Sequence, residues 1–349
     1  MLKPRQAILD MAPYSPPSSG REGKLRLDFN ENTLGCSPRV LAALIEKLSA
    51  EQLSIYPEYE ATRAALSRYF DVPDSQFVFT NGTDEAIQVL VHAFVGEGDE
   101  ALILHPSYAM YRFYAQVAGA RVREIPYRMP DLAFPVEELI GAVTPAARAI
   151  LISNPNNPTG TAIGLEEIER ILRAAPDAAV LIDEAYYDFY GVTALPLICR
   201  YPNLFVSRTF SKAHGLAALR AGVLFSQEQN VSVMKKSQSP YSVNAVAAIA
   251  VRAAVEDREY LANYVQQALQ AREKLYEGFE RRGIRYWRSE GNFVLFEAGA
   301  RSIEIRDALR ARGVLVRDRS YELPGTVRVT AGTPAQVERF FAALDEVWS

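Results

Sequence analysis

Short runs of apolar residues alternate with segments of helical spacing through the middle of the chain. The apolar runs predict strands at 77–80, 101–104, 149–153, 180–183, 204–207 and 221–225. Between the first two runs, residues 84–94 place apolar side chains at the three- and four-residue spacing of a helix. Because the strands are almost continuously apolar, this alternation favours a mostly parallel sheet that helices cover on both faces.

The pattern changes after residue 244. A long helical stretch is interrupted near Asp257, and shorter strands and helices follow at 293–296, 302–312, 314–317, 326–330 and 334–348. This segment predicts a second, smaller α+β domain. We expect a large domain at 35–245, and a small domain that combines 246–349 with an N-terminal arm, 1–34.

Composition and charge exclude several classes of protein. The 349 residues carry a net charge of −4 and are 49% hydrophobic, with interspersed charges and no basic field that would indicate nucleic-acid binding. The sequence contains no run of about 18 apolar residues, so it predicts no membrane-spanning helix. The N-terminal segment lacks the apolar core of a signal peptide, so we expect a cytoplasmic protein. Cys36 and Cys199 stand in unrelated stretches, so neither a disulfide nor a metal site is expected.

Polar residues follow five of the predicted strands at the point where each strand ends. In open parallel sheets, ligands bind outside the carboxyl ends of the strands, so these residues are expected to lie close together. In chain order, the residues that follow the strands are Thr83 and Asp84, Tyr108, Asn154, Asp183 with Tyr186, and a last group of Thr209, Ser211, Lys212 and Arg220.

These groups match the chemical needs of pyridoxal 5′-phosphate. A glycine turn that opens a helix, as at Gly82-Thr83, can bind phosphate through backbone N–H groups, although Thr-Asp is also a plain helix cap. A lysine amine can form an imine with the cofactor, and a carboxylate can hold the ring nitrogen protonated. Each residue alone has an ordinary structural explanation, but their coincidence at five strand ends favours the cofactor. A nucleotide hydrolase would require a GxxxxGK[ST] loop, which the sequence lacks.

The chain resembles the fold-type I pyridoxal-phosphate enzymes and, among them, the histidinol-phosphate aminotransferases. The resemblance covers essentially the whole chain and rests on LDFNEN (27–32), IYPEY (55–59), NGTDE (81–85), HPSYAMY (105–111), NPNNPTG (154–160), IDEAYYDF (182–189), SRTFSKAHGLAALR (207–220), GNFVLF (291–296), VLVRDR (314–319) and VRVTAG (327–332). It implies an α/β fold with a mostly parallel, seven-stranded sheet covered by helices, and a smaller α+β domain.

The resemblance also implies a role for each cofactor residue. Lys212 would carry the cofactor as a Schiff base and move the proton, and Asp183 would pair with the ring nitrogen. Tyr186 and Asn154 would contact the ring hydroxyl oxygen, and Tyr108 would stack on the ring. The phosphate would be bound by Thr83, Asp84, Thr209, Ser211 and Arg220, and by Tyr56 of a neighbouring subunit, which implies a homodimer with shared sites.

For the substrates, the resemblance implies amino transfer between L-histidinol phosphate and glutamate or 2-oxoglutarate, as in histidine biosynthesis. Arg328 would take the substrate carboxylate. Arg317 and Tyr14 would handle the substrate phosphate, and Asn30 would lie near the substrate. Thr33, Ala218 and His214 depart from residues common in the family, and we expect His214 to have a packing role.

Three other functions are open to this sequence. An aromatic amino acid aminotransferase would require an apolar pocket in place of Tyr14 and Arg317. A lyase that decarboxylates threonine phosphate would share the fold, but the lysine segment is more similar to the aminotransferases. A cofactor-sensing regulator would require a DNA-binding domain with a basic helix, and only a short arm without such a helix precedes the sheet domain.

Overall fold

A computed structural model describes residues 2–13 and 19–348 of the protein. Tyr14, which the resemblance assigns to the substrate phosphate, lies outside this part of the chain. The helices within it are α1 (Gln6–Leu9), α2 (Pro38–Lys47), α3 (Ala50–Ser54), α4 (Glu60–Phe70), α5 (Gly82–Phe94), α6 (Ala109–Ala118), α7 (Val136–Gly141), α8 (Leu165–Ala174), α9 (Tyr187–Tyr190), α10 (Glu228–Ser237), α11 (Ala245–Glu256), α12 (Arg258–Arg281), α13 (Ser302–Ala311) and α14 (Pro334–Trp348).

The strands form one large sheet and two small ones. They are β1 (Leu25–Arg26), β2 (Phe77–Thr80), β3 (Glu100–His105), β4 (Arg121–Pro126), β5 (Ala147–Ser153), β6 (Ala179–Asp183), β7 (Leu204–Thr209), β8 (Gly222–Phe225), β9 (Tyr286–Trp287), β10 (Phe293–Glu297), β11 (Val314–Leu315), β12 (Arg317–Asp318) and β13 (Thr326–Thr330).

The large sheet has seven strands in the order β2-β8-β7-β6-β5-β3-β4. Strands β3 to β7 pair in parallel, whereas β8 runs antiparallel to both β2 and β7. Every residue of β6 is buried, as is every residue of β7 and β8. The mostly parallel α/β sheet expected from the apolar runs is therefore confirmed.

Strand β4 was not expected from the sequence. It forms one edge of the large sheet, next to β3. Of its six residues only Ile125 is buried, and the rest are partly or fully exposed. An edge strand of this kind lacks the continuous apolar run that marks the central strands, so its sequence resembles a loop.

Helix α5 illustrates how the helices cover the sheet. Ile87, Leu90 and Val91 recur at helical spacing, and each of them is fully buried. They pack in one apolar cluster with residues of the central strands, such as Leu151 and Leu181. Burying each of these three side chains stabilises the fold by roughly 1.5–3 kcal/mol.

The break expected near Asp257 separates α11 from α12. Asp257 has non-helical backbone angles (φ −98°, ψ 66°), and its carboxylate caps α12 by accepting a 3.3 Å hydrogen bond from the backbone N–H of Tyr260. A cap of this kind stabilises a helix by about 1 kcal/mol. The sequence prediction of one interruption in a long helical segment is confirmed.

The apolar cores assign the described residues to two parts of the chain. One core lies around the large sheet, and another unites Leu25 and Leu27 of the N-terminal arm with α12, α13, α14 and the second sheet. The apolar side chains of α11, such as Val251, belong to the core around the large sheet, which favours a boundary after α11 over the expected one at 245. We propose that the small domain begins after Asp257. Within the described residues, no helix is both long and apolar enough to cross a membrane.

Candidate active site

A cavity of about 260 Å³ lies at the carboxyl ends of the central strands, between the two cores. The residues expected from the sequence that line it are Thr83, Tyr108, Asp183, Tyr186, Thr209, Ser211, Lys212, Arg220, Arg317 and Arg328. The fold therefore brings most of the sequence-predicted residues to one place. Asp84, Asn30 and Asn154 lie behind this lining, and Tyr56 lies on the protein surface.

One end of the cavity is rich in hydroxyl and guanidinium groups. Thr83 lies in the first turn of α5, whose N-terminal N–H groups form an anion site together with the side chains of Thr209, Ser211 and Arg220. Gly82 opens this helix at φ +74°, and a Cβ atom there would lie 2.7 Å from Arg220 Nη2. The positive backbone angle favours glycine at this turn, and the Arg220 guanidinium packs against it.

Asp84 connects this end of the cavity to the aromatic wall. Its carboxylate accepts a 2.7 Å hydrogen bond from the Tyr108 hydroxyl and a 3.0 Å hydrogen bond from Arg220 Nη2. The Tyr108 ring packs edge-on against Tyr111, with centroids 5.7 Å apart. Tyr108 is thus held as a wall of the cavity, as its expected stacking role requires.

Asp183 ends β6, and its carboxylate is almost completely buried. Oδ1 accepts a 2.8 Å hydrogen bond from the Ser207 hydroxyl, and Oδ2 accepts a 2.8 Å hydrogen bond from the Tyr111 hydroxyl. Burial raises the pKa of Asp183 from 3.8 to about 6, although both hydrogen bonds act against this shift. A buried carboxylate with a raised pKa favours a cationic partner at the same place.

Lys212 lies where β7 ends, opposite Tyr186. Its Nζ donates a 2.9 Å hydrogen bond to the backbone carbonyl of Phe29 and lies 5.9 Å from the centre of the Tyr186 ring. The carbonyl of Phe29 holds the amine with a single neutral acceptor. Such an arrangement leaves the amine able to react with a carbonyl compound in the cavity.

Asn30, which is expected near the substrate, lies behind Tyr186 of the cavity wall. Its side-chain amide donates a 3.0 Å hydrogen bond to the Tyr186 hydroxyl, and its Oδ1 accepts one of 3.1 Å from Thr330. Asn30 is 1% exposed and does not line the cavity. We therefore propose that it positions Tyr186 rather than contacting the substrate.

Asn154, which the resemblance assigns to the ring oxygen, does not line the cavity. Its side-chain Nδ2 donates a 3.0 Å hydrogen bond to the Ile163 carbonyl, and its Oδ1 accepts a 2.9 Å hydrogen bond from the Ile163 N–H. Asn157, three residues later, lines the cavity instead and accepts a hydrogen bond from Arg328 Nη1. We therefore propose that Asn154 fixes the turn and that Asn157 is the asparagine that contacts the ring oxygen.

Arg328 lies on β13 and is almost completely buried. Apart from Asn157, its guanidinium donates to the backbone carbonyl of Asp28, 2.5 Å away. Burial, together with the positive charges of Arg319 and Arg317, lowers the pKa of Arg328 to about 10. A buried guanidinium with only neutral acceptors is matched to bind a carboxylate bidentately.

Arg317 lies beside Arg328 on the neighbouring strand, because the two residues are paired in the antiparallel β12–β13 ladder. Its guanidinium packs over the Phe29 ring at 5.5 Å. Sequence reasoning missed four more lining residues at this end, namely Phe29, Glu31, Arg319 and Tyr321. Arg319 could have been found from its position two residues after Arg317, since alternate residues of a strand share a face.

Tyr56 is 74% exposed and lies away from the cavity of its own chain. Its ring stacks on Tyr241 with the centroids 4.4 Å apart and the planes inclined by 27°. Exposed apolar side chains of α2 and α3 accompany it, namely Leu41, Ile45 and Leu53. Exposed apolar side chains that form a patch are typical of a protein–protein interface.

Residues 22–344 match the family model of the class I and II aminotransferases. The chain belongs to this aminotransferase family. This chain is 34% identical over 353 residues to a curated protein, the histidinol-phosphate aminotransferase of Geobacillus sp. The match covers 97% of this chain and 96% of that protein. The chain is 36% identical to the enzyme of the same name from Symbiobacterium thermophilum, covering 97% of each chain.

Solved structures share the fold of the aminotransferase. Histidinol-phosphate aminotransferase from Sinorhizobium meliloti, solved in complex with pyridoxal 5′-phosphate, has a TM-score of 0.89 at 24% identity, over 98% of this chain and 96% of that one. L-threonine-O-3-phosphate decarboxylase from Porphyromonas gingivalis has a TM-score of 0.81 at 24% identity, over 93% of this chain and 99% of that one. The architecture is that of the fold-type I pyridoxal-phosphate enzymes.

Pyridoxal 5′-phosphate fits the groups of this cavity. The phosphate matches the hydroxyl and guanidinium groups around Thr83 and the glycine turn that opens α5. The protonated ring nitrogen matches the buried carboxylate of Asp183, which otherwise lacks a cationic partner among the described residues. No group of His, Cys, Asp and Glu within the described ranges could hold a metal ion.

His214 lies outside this cavity. It is 6% exposed, its ring packs against Phe210 at 5.0 Å, and burial lowers its pKa. Nε2 lies 3.4 Å from the Tyr69 hydroxyl. These contacts favour the packing role expected from the sequence over a role as a base.

Proposed function

We propose that this aminotransferase transfers an amino group between L-histidinol phosphate and 2-oxoglutarate, with pyridoxal 5′-phosphate as cofactor, as in histidine biosynthesis. The observation that carries the proposal is the anion-binding end of the cavity. There the paired strands β12 and β13 place Arg317 opposite Arg328, without a carboxylate partner for either among the described residues. The curated relatives named for this activity, similar over nearly their full length, support it.

The two substrates share one anion-binding end. Histidinol phosphate brings a phosphate, and glutamate or 2-oxoglutarate brings two carboxylates. An arginine fork binds either anion bidentately. We assign the substrate carboxylate to Arg328, oriented by Asn157, and the remote phosphate or carboxylate to Arg317, with Tyr14 as a further candidate from the sequence. Uptake and release of the amino group then occur as two half-reactions in the same pocket.

The cofactor, when bound, supplies an aldehyde that takes up the amino group and a ring that withdraws electrons from the substrate α-carbon. The Lys212 amine would take the proton from the substrate α-carbon and deliver it to the former aldehyde carbon of the cofactor, which lies two bonds away across the amino nitrogen. Asp183 holds a proton on the ring nitrogen. Tyr186, positioned by Asn30, and Asn157 orient the ring oxygen, while Tyr108 confines the ring.

We further propose a homodimer in which Tyr56 reaches the phosphate of the partner subunit's cofactor. Tyr56 is exposed and does not line the cavity of its own chain, and both observations support this assignment. A cytoplasmic location, expected from the sequence, stays a prediction.

A substrate panel tests the activity. The purified enzyme is supplied separately with histidinol phosphate, phenylalanine and threonine phosphate, and formation of the amino form of the cofactor and release of carbon dioxide are followed. We expect amino transfer from histidinol phosphate at the highest kcat/KM. Transfer from phenylalanine alone would favour an aromatic aminotransferase, and carbon dioxide release would favour a lyase.

Replacement of Lys212 tests the chemistry itself. Lys212→Ala removes the only attachment amine among the residues that line the cavity. We expect loss of the visible absorption of the covalently held cofactor, and a fall in turnover of about 10²-fold to 10⁴-fold or more. Lys235→Ala, on the exposed face of α10, is the matched control. Turnover retained in Lys212→Ala would contradict the assignment.

A further inference from the structure

A third arginine shares the substrate end of the cavity with Arg317 and Arg328. Arg319 lines the cavity and is 7% exposed. It lies two residues after Arg317, and its backbone N–H continues the strand pairing through a 3.0 Å hydrogen bond to the Thr326 carbonyl. Because alternate strand residues share a face, Arg319 points to the same side as Arg317.

Two groups hold Arg319 in place. Nη1 donates a 2.8 Å hydrogen bond to the Tyr321 hydroxyl, and Nη2 forms an ion pair with the carboxylate of Glu322. Nε is buried and has no hydrogen-bond partner among the described residues. Glu322 does not line the cavity, so its carboxylate contacts Arg319 on the side away from the cavity.

The positive charges at this end exceed the negative charges that balance them. The Arg319 and Arg317 charges each lower the pKa of Arg328, which places all three guanidinium groups within electrostatic reach of each other. Glu322 is within reach of the same three arginines and of His105, whose charges oppose the raising of its pKa by burial. Like charges on neighbouring strands destabilise a sheet unless an anion separates them.

We propose that Arg319 is a further specificity-determining residue, which binds the remote phosphate of the substrate and which Glu322 holds when no such anion is present. The inference rests on the proposed function for the identity of the substrate. It commits to a ligand class, a phosphate monoester dianion. Glu322 acts as an internal competitor for the guanidinium, and the substrate phosphate takes its place on the cavity side.

Charge explains why this arrangement discriminates between the two substrates. A third guanidinium attracts a phosphate dianion about twice as strongly as it attracts the single charge of a distal carboxylate, since Coulomb energy is proportional to charge. A phosphate also offers three acceptor oxygens, so several arginines can donate to it at the same time. Arg319 therefore favours the phosphorylated amine over glutamate.

The test uses the holoenzyme and two simple probes, butyl phosphate and glutarate, whose dissociation constants are measured by calorimetry. We expect Arg319→Met to weaken butyl phosphate binding by roughly tenfold or more and to weaken glutarate binding much less. Glu322→Gln keeps a neutral acceptor for Arg319 but removes the competing charge, so butyl phosphate should bind more tightly. The two variants thus have opposite effects on the same probe.

A structural role for the Arg319–Glu322 pair gives a different result. Both variants would then weaken both probes alike, or change neither, and either result would overturn the proposal. Arg312→Met and Glu346→Gln break an exposed ion pair of the same domain and serve as matched controls. If Arg319→Met does not fold, Glu322→Gln alone tests the proposal through its predicted tighter binding of butyl phosphate. Arg319→Lys should then weaken butyl phosphate binding to an intermediate degree. Because neither probe is a substrate, the outcome is independent of whether histidinol phosphate is turned over.

Discussion

The Tyr111 hydroxyl donates a 2.8 Å hydrogen bond to Asp183 Oδ2, and neither side chain is more than 2% exposed. Tyr111 lies in α6, and Asp183 ends β6. The contact joins a helix that covers the sheet to the carboxylate that faces the cofactor site. Ser207, on the neighbouring strand, holds the other carboxylate oxygen.

Tyr111→Phe removes one of these two donors without changing the shape of the side chain. The buried carboxylate is left with a single partner, so its pKa rises further and the charged form costs more. We expect the apoenzyme to lose about 1.5–3 kcal/mol of unfolding free energy at pH 8, and much less at pH 4. Urea denaturation at the two pH values measures this difference. Tyr114→Phe is the control, and equal losses at both pH values in Tyr111→Phe would contradict the explanation.

Asp183 also makes the apoenzyme sensitive to pH. Its pKa rises from 3.8 in the unfolded chain to about 6 in the folded protein, so the folded state binds the proton more tightly. The free energy of unfolding therefore decreases as the pH rises from about 4 to about 6, and the loss is complete above this window. The rise of the Asp183 pKa from 3.8 to about 6 corresponds to about 3 kcal/mol of unfolding free energy.

Asp183→Asn removes this pH-dependent cost. We expect the apoenzyme variant to be more stable than the parent by about 3 kcal/mol at pH 8, with little gain at pH 4. Its affinity for pyridoxal phosphate should fall, because the cationic ring nitrogen loses its partner. Asp131→Asn, at an exposed position, is the control. An Asp183→Asn apoenzyme that is less stable at pH 8 than the parent would contradict the predicted gain in unfolding free energy.

The sequence predicted the central strands and the residues at their carboxyl ends, because buried parallel strands leave a continuous apolar run. Polar residues directly after such a run have few other places to go. Lys212, Asp183 and Thr83 could be placed in this way. Strand β4 could not, because at the sheet edge its side chains are mostly exposed.

The finer geometry of the site depends on the path of the loops. Three asparagines stand at 154–160, and which of them meets the cavity is decided by the turn itself. Asn154 follows the strand directly but turns back to bind Ile163. Tyr111 is one helical turn beyond Tyr108, so its contact with Asp183 depends on how α6 packs on the sheet.

The two asparagines can be separated by experiment. Asn157→Ala removes the acceptor that orients Arg328, so we expect the dissociation constant of glutarate in the holoenzyme to rise by roughly tenfold. Asn154→Ala removes two buried hydrogen bonds of the turn and should lower the unfolding free energy by about 1–3 kcal/mol. Calorimetry and denaturation on both variants would show the contrast. Glutarate binding lost in Asn154→Ala at unchanged stability would reverse the assignment.

Tyr56 offers a test of the shared site. The ring stacks on Tyr241, so Tyr56→Phe keeps the packing and removes only the hydroxyl. If that hydroxyl binds the phosphate of the partner subunit's cofactor, the variant should release the cofactor faster, by roughly tenfold. Tyr241→Phe keeps the same stacked pair and is the matched control.

A hybrid dimer shows whether the Tyr56 hydroxyl serves the site of its own chain or the site of the partner chain. Chains with Lys212→Ala are mixed with chains that carry Tyr56→Phe. In a shared-site dimer, the site with an intact Lys212 then receives an intact Tyr56 from the other chain. We therefore expect each hybrid to have one site that turns over and that releases cofactor at the parent rate after dilution. If Tyr56 served the site of its own chain, that site would combine Lys212 with Phe at position 56, and the hybrid would release cofactor as fast as the Tyr56→Phe homodimer.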